Sequence, residues 1–522
     1  MNARWANAWR GGTLGVALVL ALLVFRFWFS AVLPMTGDEA YFVLWGEHPA
    51  GGYYDHPPMV GWWLTALLQA SRAEWFLRLP AVLLPGALAL VAWQLARPLG
   101  SERARLAAML VLLQPASVWN VLITTDTPVI LFSVLAVGAY VAALRARNPP
   151  RALLWQGVAG LLLGGAFLGK YFAALLGVGI LAHVLLARRD RGRWAGFAVL
   201  VLAALPAPIY NLWWNNGHCW VNVLFNFVNR TADAGFQAEN PPLYFVCLAY
   251  LATPWLLIAL WRQRAALRAA AQRADVGAVL WLAGVPLLLL FLLSFEKSVG
   301  LHWLASFTPL LAAIGAMALP LANVARLLRW SALFAVAHVL LIGVICTLPL
   351  ETWRNSSAYD GIVLTVRADE LLARLQPWAD DYLFATDGYS PAATLAYHAR
   401  RPFAVFGEGS YHARQDDFLT DWRVHDGGRV LILRKSEPAA DEYAPYFERI
   451  ALQHVDLHGV RYTLVLGEGF RYAAYRDGVL TRVRDRFYRA PAWLPRRADS
   501  PCEFCMRYFP DDTGGMLPLK PR

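Results

Sequence analysis

The chain is poor in charge and poorer in acid. Of its 522 residues, 16% are Asp, Glu, Lys or Arg, and only 36 are Asp or Glu. Soluble domains carry about a quarter charged residues, so an ordinary water-soluble protein is excluded. Five cysteines are too few for a disulfide framework. Cys219, Cys247 and Cys346 fall in or near apolar runs and read as packing residues. Cys502 and Cys505 form a CxxC near the C-terminus. Without a second such pair or a nearby His pair this is a weak zinc signal; it suits a local disulfide if that region is extracytoplasmic. No GxxxxGK[ST] stretch offers a site for nucleotide hydrolysis, and no GxSxG marks a nucleophile elbow. No repeated half with matched broken helices stands out, which weakens a transporter reading.

What is abundant is apolar. A hydrophobic fraction of 58%, a mean hydropathy of +0.41 and 23 Trp describe a polytopic membrane protein. The apolar runs stop near residue 350, which predicts a membrane domain over 1–350 and a soluble domain over 351–522. A net charge of +11 could suggest nucleic acid, but residues 1–350 carry +12 and the tail −1. The excess therefore lies in membrane loops, where it sets orientation, and nucleic acid is not expected.

Residues 11–33 are long enough to span and read as a first helix rather than a cleaved signal peptide. Further spans are expected near 75–96, 105–123, 128–144, 152–168, 171–187, 194–214, 243–261, 276–295, 303–321 and 331–350, about eleven in all. Gly164, Gly165, Gly169 and Lys170 interrupt the 152–187 pair, so it is two short helices or one broken one. One set of alternate loops holds 18 Lys or Arg, including Arg4 and Arg10. The other holds five: Arg72, Arg78, Lys170, Arg230 and Lys297. This asymmetry predicts a cytoplasmic N-terminus, and an odd span count then puts the tail outside, in a bacterial plasma (inner) membrane. Nine of the twelve acidic residues in this half fall on the outer side, Asp233 among them.

The first outer loop, 34–73, is unusually polar for its place. It carries Asp38, Glu39, Glu47, His48, Asp55 and His56; polar residues beside a span are a functional-site hypothesis by default. Thr36 with Glu39 three positions on is a capping-box pattern and predicts a short helix over 38–48. Pro58 starts a second apolar helix over 59–70. In the tail, 382–386 and 430–434 read as strands, 370–375 and 391–399 as helices, and 462–466 and 478–483 as hairpin material, a small α/β domain.

Carboxylates at Asp38, Glu39, Asp55 and Asp126 can act as general bases toward a hydroxyl. Lys170, His56 and Arg26 can neutralise a phosphate; His302, in GLHW, falls on the same outer side. Each has a plainer account. Asp38 and Glu39 can cap a helix, Asp126 can be an N-cap before Thr127-Pro128, Lys170 and Arg26 can snorkel, and His302 can be interfacial. Asp55 and His56 are half a metal site with nothing of ligand spacing to complete it. Convergence on one side of the membrane favours chemistry.

These motifs resemble a family. The pair Asp38-Glu39 after the first span and YYDHPPMVGW at 53–62 are the specific marks; TTDTP at 124–128, FLGKYFAALL at 167–176 and LHW at 301–303 support them. Together, over roughly residues 10–350, the chain resembles the GT-C class of membrane glycosyltransferases. Within it, the chain is similar to bacterial relatives of the protein O-mannosyltransferases and of the aminoarabinose transferase that modifies lipid A. The resemblance implies an about eleven-helix GT-C-like membrane domain with an extracytoplasmic C-terminal α/β domain, and inverting transfer of a sugar from a polyprenyl-phosphate donor. The acceptor would be lipid A, another glycan or lipid, or a protein. Asp38 would be the catalytic carboxylate, Asp126 the second acid, and Lys170 the phosphate contact, with Glu39, Tyr54, Asp55, His56, His302 and Arg26 in substrate binding. The aminoarabinose transferases carry an acidic-basic pair before the two prolines; here its basic member is His56 instead of Lys. No nucleotide leaves, so no cofactor is demanded, although a divalent metal is compatible. Outside this class the alternatives are a transporter of lipid-linked sugars and a non-catalytic membrane scaffold.

Overall fold

The computed structural model describes residues 13–231, 235–412, 414–439, 441–491, 493–495 and 502–510. Arg4, Arg10 and Asp233, which enter the loop-charge comparison, lie outside them. The chain divides into two compact units. The first holds the described residues of Met1–Leu33, Ser71–Tyr210 and Ala234–Thr347. The second holds those of Pro34–Ala70, Asn211–Asp233 and Leu348–Arg522. The tail is thus joined by the acidic loop and by a second stretch whose apolar composition reads as membrane.

Among the described residues, seven helices are long and apolar enough to cross a membrane: Gly15–Val32, Glu74–Leu99, Asp126–Arg145, Pro149–Gly169, Arg193–Gly217, Ala274–Leu293 and Leu321–Thr347. The pair Asn240–Ala252 and Pro254–Arg262, bent by 95°, makes eight if taken as one span. The protein is multi-pass, but the expected count of eleven is not reproduced. The runs at 105–123, 171–187 and 303–321 are cut into shorter helices: Ser101–Leu112 with Pro115–Trp119, Ala173–Ala182 with its extension to Ala187, and Thr308–Ala318. At 1.5 Å per residue, a ten- to twelve-residue helix covers roughly 15–18 Å, against a hydrocarbon core of about 30 Å. The break at Gln114-Pro115 is brief within an otherwise apolar run, which therefore reads as continuous, whereas Lys170 interrupts its run in the sequence itself.

Two arginines stitch the first unit together, and both bury against backbone. Arg26 is 3% exposed. Its Nη2 donates to the carbonyls of Ala81 and Asn120 at 2.6 and 2.7 Å, Nη1 to Ser117 and Val118 at 2.6 and 3.3 Å, and Nε to Val82 at 3.0 Å. Pro85 lies inside the Leu79–Ala96 helix and has no N–H for the carbonyl four residues back, which is Ala81's. Ser117 and Val118 end the Pro115–Trp119 helix, where carbonyls lack intrahelical partners. Arg26 thus satisfies acceptors that a proline and a helix end leave over. It neither snorkels nor faces a ligand, and the expected substrate role gives way to a structural one. Arg78, fully buried, donates likewise to Ser30 and Leu33 at 2.9 and 2.6 Å, at the end of the first helix.

The second unit is built on a five-stranded sheet of order β2-β1-β3-β5-β4, with β1 Leu383–Thr386, β2 Ala404–Val405, β3 Arg429–Arg434, β4 Arg449–Leu457 and β5 Val460–Glu468. β1 pairs in parallel with β2 and β3, and β5 runs antiparallel to both β3 and β4. The helix Tyr389–Ala399 carries the chain from β1 to β2. β4 and β5 join through His458-Gly459, both at positive φ (48° and 80°), the twist a two-residue hairpin loop requires. Leu431 and Leu433 face one core with Leu371 and Leu395. Val430 and Ile432 face another that includes Tyr54 and Phe225, which is why the acidic loop and the 211–233 stretch belong with the sheet. Residues 478–483, expected as hairpin, are helical in Arg476–Leu480 and Thr481–Phe487. Val479, Leu480, Val483 and Phe487 are the buried ones, a spacing of three and four that marks one face of a helix.

Cys219 is bonded to Cys502. This overturns both the packing role for Cys219 and the local Cys502–Cys505 pair; Cys505 is buried beside it. A CxxC offers proximity in sequence, but here Cys505, the third residue of the helix Glu503–Tyr508, packs in the aromatic core with Phe504 and Tyr508. Cys219 and Trp220 sit at φ 59° and 57°, a conformation costing non-glycine residues about 1–3 kcal/mol. The disulfide and the bond from Trp220 Nε1 to the Pro495 carbonyl, 2.9 Å, hold that turn.

Candidate active site

In the second unit the helix Gly37–Glu47 carries Asp38 in its first turn. The capping box is present: Thr36 Oγ1 accepts from the Glu39 N–H at 3.3 Å, and Glu39 Oε2 accepts from the Thr36 N–H and hydroxyl at 3.3 and 3.1 Å. Glu39 is wholly buried, so its carboxylate is a cap and not the substrate contact expected. Capping by Thr36 and Glu39 leaves Asp38, which is exposed, to another use. Its Oδ1 accepts from the Tyr389 hydroxyl at 2.9 Å. Tyr389 is the first residue of the helix after β1, and that helix packs tightly on the acidic one. A Cβ built on Gly37 would lie 1.9 Å from Ser390 Oγ, so only glycine permits the approach. Burial, then the charge of Asp38 and its hydrogen bond, raise the Tyr389 phenol above its ordinary range, so it stays a donor.

Asp55 lies nearby and is 7% exposed. Its Oδ1 accepts from Tyr41 at 3.4 Å, and the Tyr41 hydroxyl accepts from the Gln415 N–H at 3.2 Å. Tyr54 is fully buried; its N–H donates to Gln415 Oε1 at 2.9 Å and its hydroxyl accepts from Asn229 Nδ2 at 3.2 Å. It anchors the loop and offers no surface to a substrate. The His56 ring sits edge-on to Trp45 and Phe225, each 6.2 Å away. The loop is cradled by a carboxamide row that the sequence reading did not single out. Asn222 Nδ2 donates to the Tyr54 carbonyl at 3.1 Å and also to that of Tyr53, and Asn226 Nδ2 to that of Asp55 at 3.2 Å. Their signal was present: Asn222, Asn226 and Asn229 recur at helical spacing within an apolar stretch. Tyr389 had a fainter one, a DGYSP turn between an expected strand and helix.

In the first unit Lys170 and Asp126 form an ion pair. Lys170 Nζ donates to Asp126 Oδ1 and Oδ2 at 2.9 and 3.2 Å. Lys170 caps the Pro149–Gly169 helix in extended backbone and is 6% exposed, so it does not snorkel. Asp126 is the first residue of its helix, with Thr125 at the N-cap. Phe167 and Ala173, flanking Lys170, line an apolar cleft of about 370 Å³ with Val178 and Leu200. His302 is exposed in the short helix Leu301–Leu304. Among the described residues, no group of three or more His, Cys, Asp or Glu is arranged to hold a metal.

Chemically, then, the second unit presents an exposed carboxylate held by a tyrosine, and the first a buried ammonium paired with a part-buried carboxylate beside an apolar cleft. The family described as dolichyl-phosphate-mannose-protein mannosyltransferase matches residues 55–214. A lipid A galacturonosyltransferase, RgtD, from Rhizobium johnstonii is 34% identical over 212 residues, which cover 38% of this chain and 43% of that protein; the match spans less than half of the relative. The crystal structure of ArnT from Cupriavidus metallidurans bound to undecaprenyl phosphate superposes with a TM-score of 0.62 at 16% identity, over 87% of this chain and 98% of that one. The same protein in its apo state gives 0.58 at 17% identity, over 88% and 98%. The chain therefore has the GT-C fold of ArnT and, in sequence, resembles the mannosyltransferase family and a lipid A glycosyltransferase.

Proposed function

We propose that this protein is an integral-membrane glycosyltransferase that moves a sugar, with inversion, from a polyprenyl-phosphate donor to a hydroxyl on an extracytoplasmic acceptor. The observation that carries this reading is Asp38: exposed, relieved of helix capping and held by Tyr389 at 2.9 Å. Asp38 takes the proton from the acceptor hydroxyl as its oxygen attacks the anomeric carbon. The bond from that carbon to the phosphate oxygen breaks, and its electron pair leaves on the polyprenyl phosphate. Attack opposite the leaving group inverts the anomeric configuration. Lys170, poised on Asp126, stabilises the charge gathering on the phosphate, and the apolar cleft beside it suits an isoprenoid chain. The undecaprenyl phosphate held by ArnT and the lipid A substrate of RgtD support a hexosyl- or pentosyltransferase with such a donor and with lipid A or a related glycan as acceptor. A protein acceptor is the less favoured case, and no metal is required by the steps above.

The catalytic face is outward in a bacterial inner membrane, with a cytoplasmic N-terminus. The 18-to-5 loop asymmetry supports this, and so does Cys219–Cys502, because a disulfide persists in an oxidising compartment. Mass spectrometry of lipid A, glycans and proteins from a deletion strain tests the reading. Loss of one sugar mass from one class, restored by the wild-type gene but not by Asp38→Asn, is expected. An unchanged profile in all three classes would refute it.

A further inference from the structure

The second unit contains a cavity of about 510 Å³ that the transfer steps above do not use. It lies at the carboxyl ends of the parallel strands β1 and β2, lined by residues 387–391 after the first and by Ser410, His412, Arg414, Asp416 and Asp417 among those after the second. In open α/β sheets ligands bind outside the carboxyl ends of the strands. One wall is directly linked to the candidate base, since Tyr389, which lines the cavity, donates to Asp38. His412 lines it too; its imidazole is lowered by burial and then by Arg230, and raised by Asp38, so both groups on that side feel the Asp38 charge.

The lining chemistry selects a class of ligand. Among the described lining residues Arg414 is the only Lys or Arg, and it is committed: Nε and Nη2 donate to Asp417 Oδ2 and Oδ1 at 2.7 and 2.9 Å, and Nη1 to the Ser410 carbonyl at 3.1 Å. Asp416 is committed as well, its Oδ2 accepting from the Val405 N–H and its Oδ1 from the Thr420 hydroxyl, each at 2.9 Å. That leaves the carboxyl of Asp387, which lies 3.5 Å from Arg434 Nε, and the hydroxyls of Ser390 and Ser410. Burial raises the Asp416 carboxyl to about 7. Carboxylates beside hydroxyls and rings repel phosphate and uronate but accept hydrogen bonds from sugar hydroxyls. The volume is at the scale of small-molecule sites.

Building on the transferase reading, we propose that this cavity binds an uncharged, polyhydroxylated ring of the acceptor glycan and presents one of its hydroxyls to Asp38. The second unit then holds the acceptor subsite.

The test uses the full chain in detergent, with saturation-transfer NMR of methyl glucoside and methyl galactoside, and methyl glucuronide as the anionic control. Ser410→Trp puts an indole into the cavity from an exposed loop position, and His412→Ala is a second exposed change in case the first misfolds. A neutral glycoside should bind the wild type, the glucuronide should not, and both variants should weaken binding by about tenfold, the worth of one or two hydrogen bonds. Undecaprenyl-phosphate affinity should be unmoved. No neutral glycoside bound, undiminished binding in both variants, or preference for the glucuronide would overturn the proposal. A wild type that binds glycoside but transfers nothing from any polyprenyl-phosphate sugar would instead overturn the acceptor role together with the transferase reading.

Discussion

Asp38→Asn distinguishes a base from a helix-start charge, and the structure makes the two effects separable. The cap belongs to Thr36 and Glu39 and survives the substitution. The Asn side-chain oxygen can still accept from Tyr389. What folding loses is one exposed negative charge in a first turn, typically about 0.3–1 kcal/mol. What catalysis loses is the proton acceptor, typically about 10²–10⁴-fold, or roughly 2.7–5.4 kcal/mol of barrier at 1.36 kcal/mol per factor of ten. The ranges do not overlap. Transfer from an undecaprenyl-phosphate sugar, lipid binding and thermal unfolding should be measured on one purified sample. We expect turnover to fall by at least about a hundredfold, with donor affinity and folding close to wild type. Tyr389→Phe, which removes only the donor to Asp38, should lie between the two, and Glu39→Gln, which keeps a capping side chain, should be mild. Turnover near the wild-type rate in Asp38→Asn would refute the assignment and move the base to Asp55 or Asp126.

Four further outcomes are expected. Lys170→Met should weaken binding of a polyprenyl phosphate, and adding Asp126→Asn should recover stability lost by leaving a part-buried carboxylate alone; unchanged lipid affinity would make the pair purely structural. Arg26→Met should lower the unfolding temperature by leaving several carbonyls unsatisfied at about 1–3 kcal/mol each. Pro85→Ala in that background should return part of it, because residue 85 then supplies the N–H that Ala81 lacks. Cys219→Ser should cost about 2–5 kcal/mol, and the wild type should block thiol labelling at both positions until reduced. Cysteines placed at Glu47 and Gly388 should react with an impermeant reagent from outside and one at Arg191 from the cytoplasm; a cytoplasmic Gly388 would overturn the orientation.

Local signals were legible and long-range ones were not. The acidic helix could be seen because Thr36 and Glu39 are three residues apart, and the broken helix at Lys170 because glycines and a charge interrupt an apolar run. Strands β1 and β3 were seen to within a residue at their start from their β-branched and aromatic composition. The Tyr389–Asp38 bond joins residues 351 positions apart, and the disulfide joins residues 283 apart; no local pattern encodes either. Arg26 misled for a different reason. An arginine in an apolar run signals a charge in need of partners, but its partners are backbone carbonyls, which every residue has and no sequence displays. Tyr54 and Glu39 were assigned to substrate by membership of a motif, and both are buried as loop anchors.

The close approach of Gly37 to Ser390 has a consequence for engineering. A methyl group at position 37 would overlap the serine hydroxyl, and a larger side chain at 390 would push against the same backbone. The two positions can therefore change only in concert, and the pairing sets where Asp38 stands. The C-terminal region is then not an exchangeable module. A chimaera that grafts it from a relative should keep its activity only if the residue arriving at 390 is as small as serine, however well the graft folds by itself.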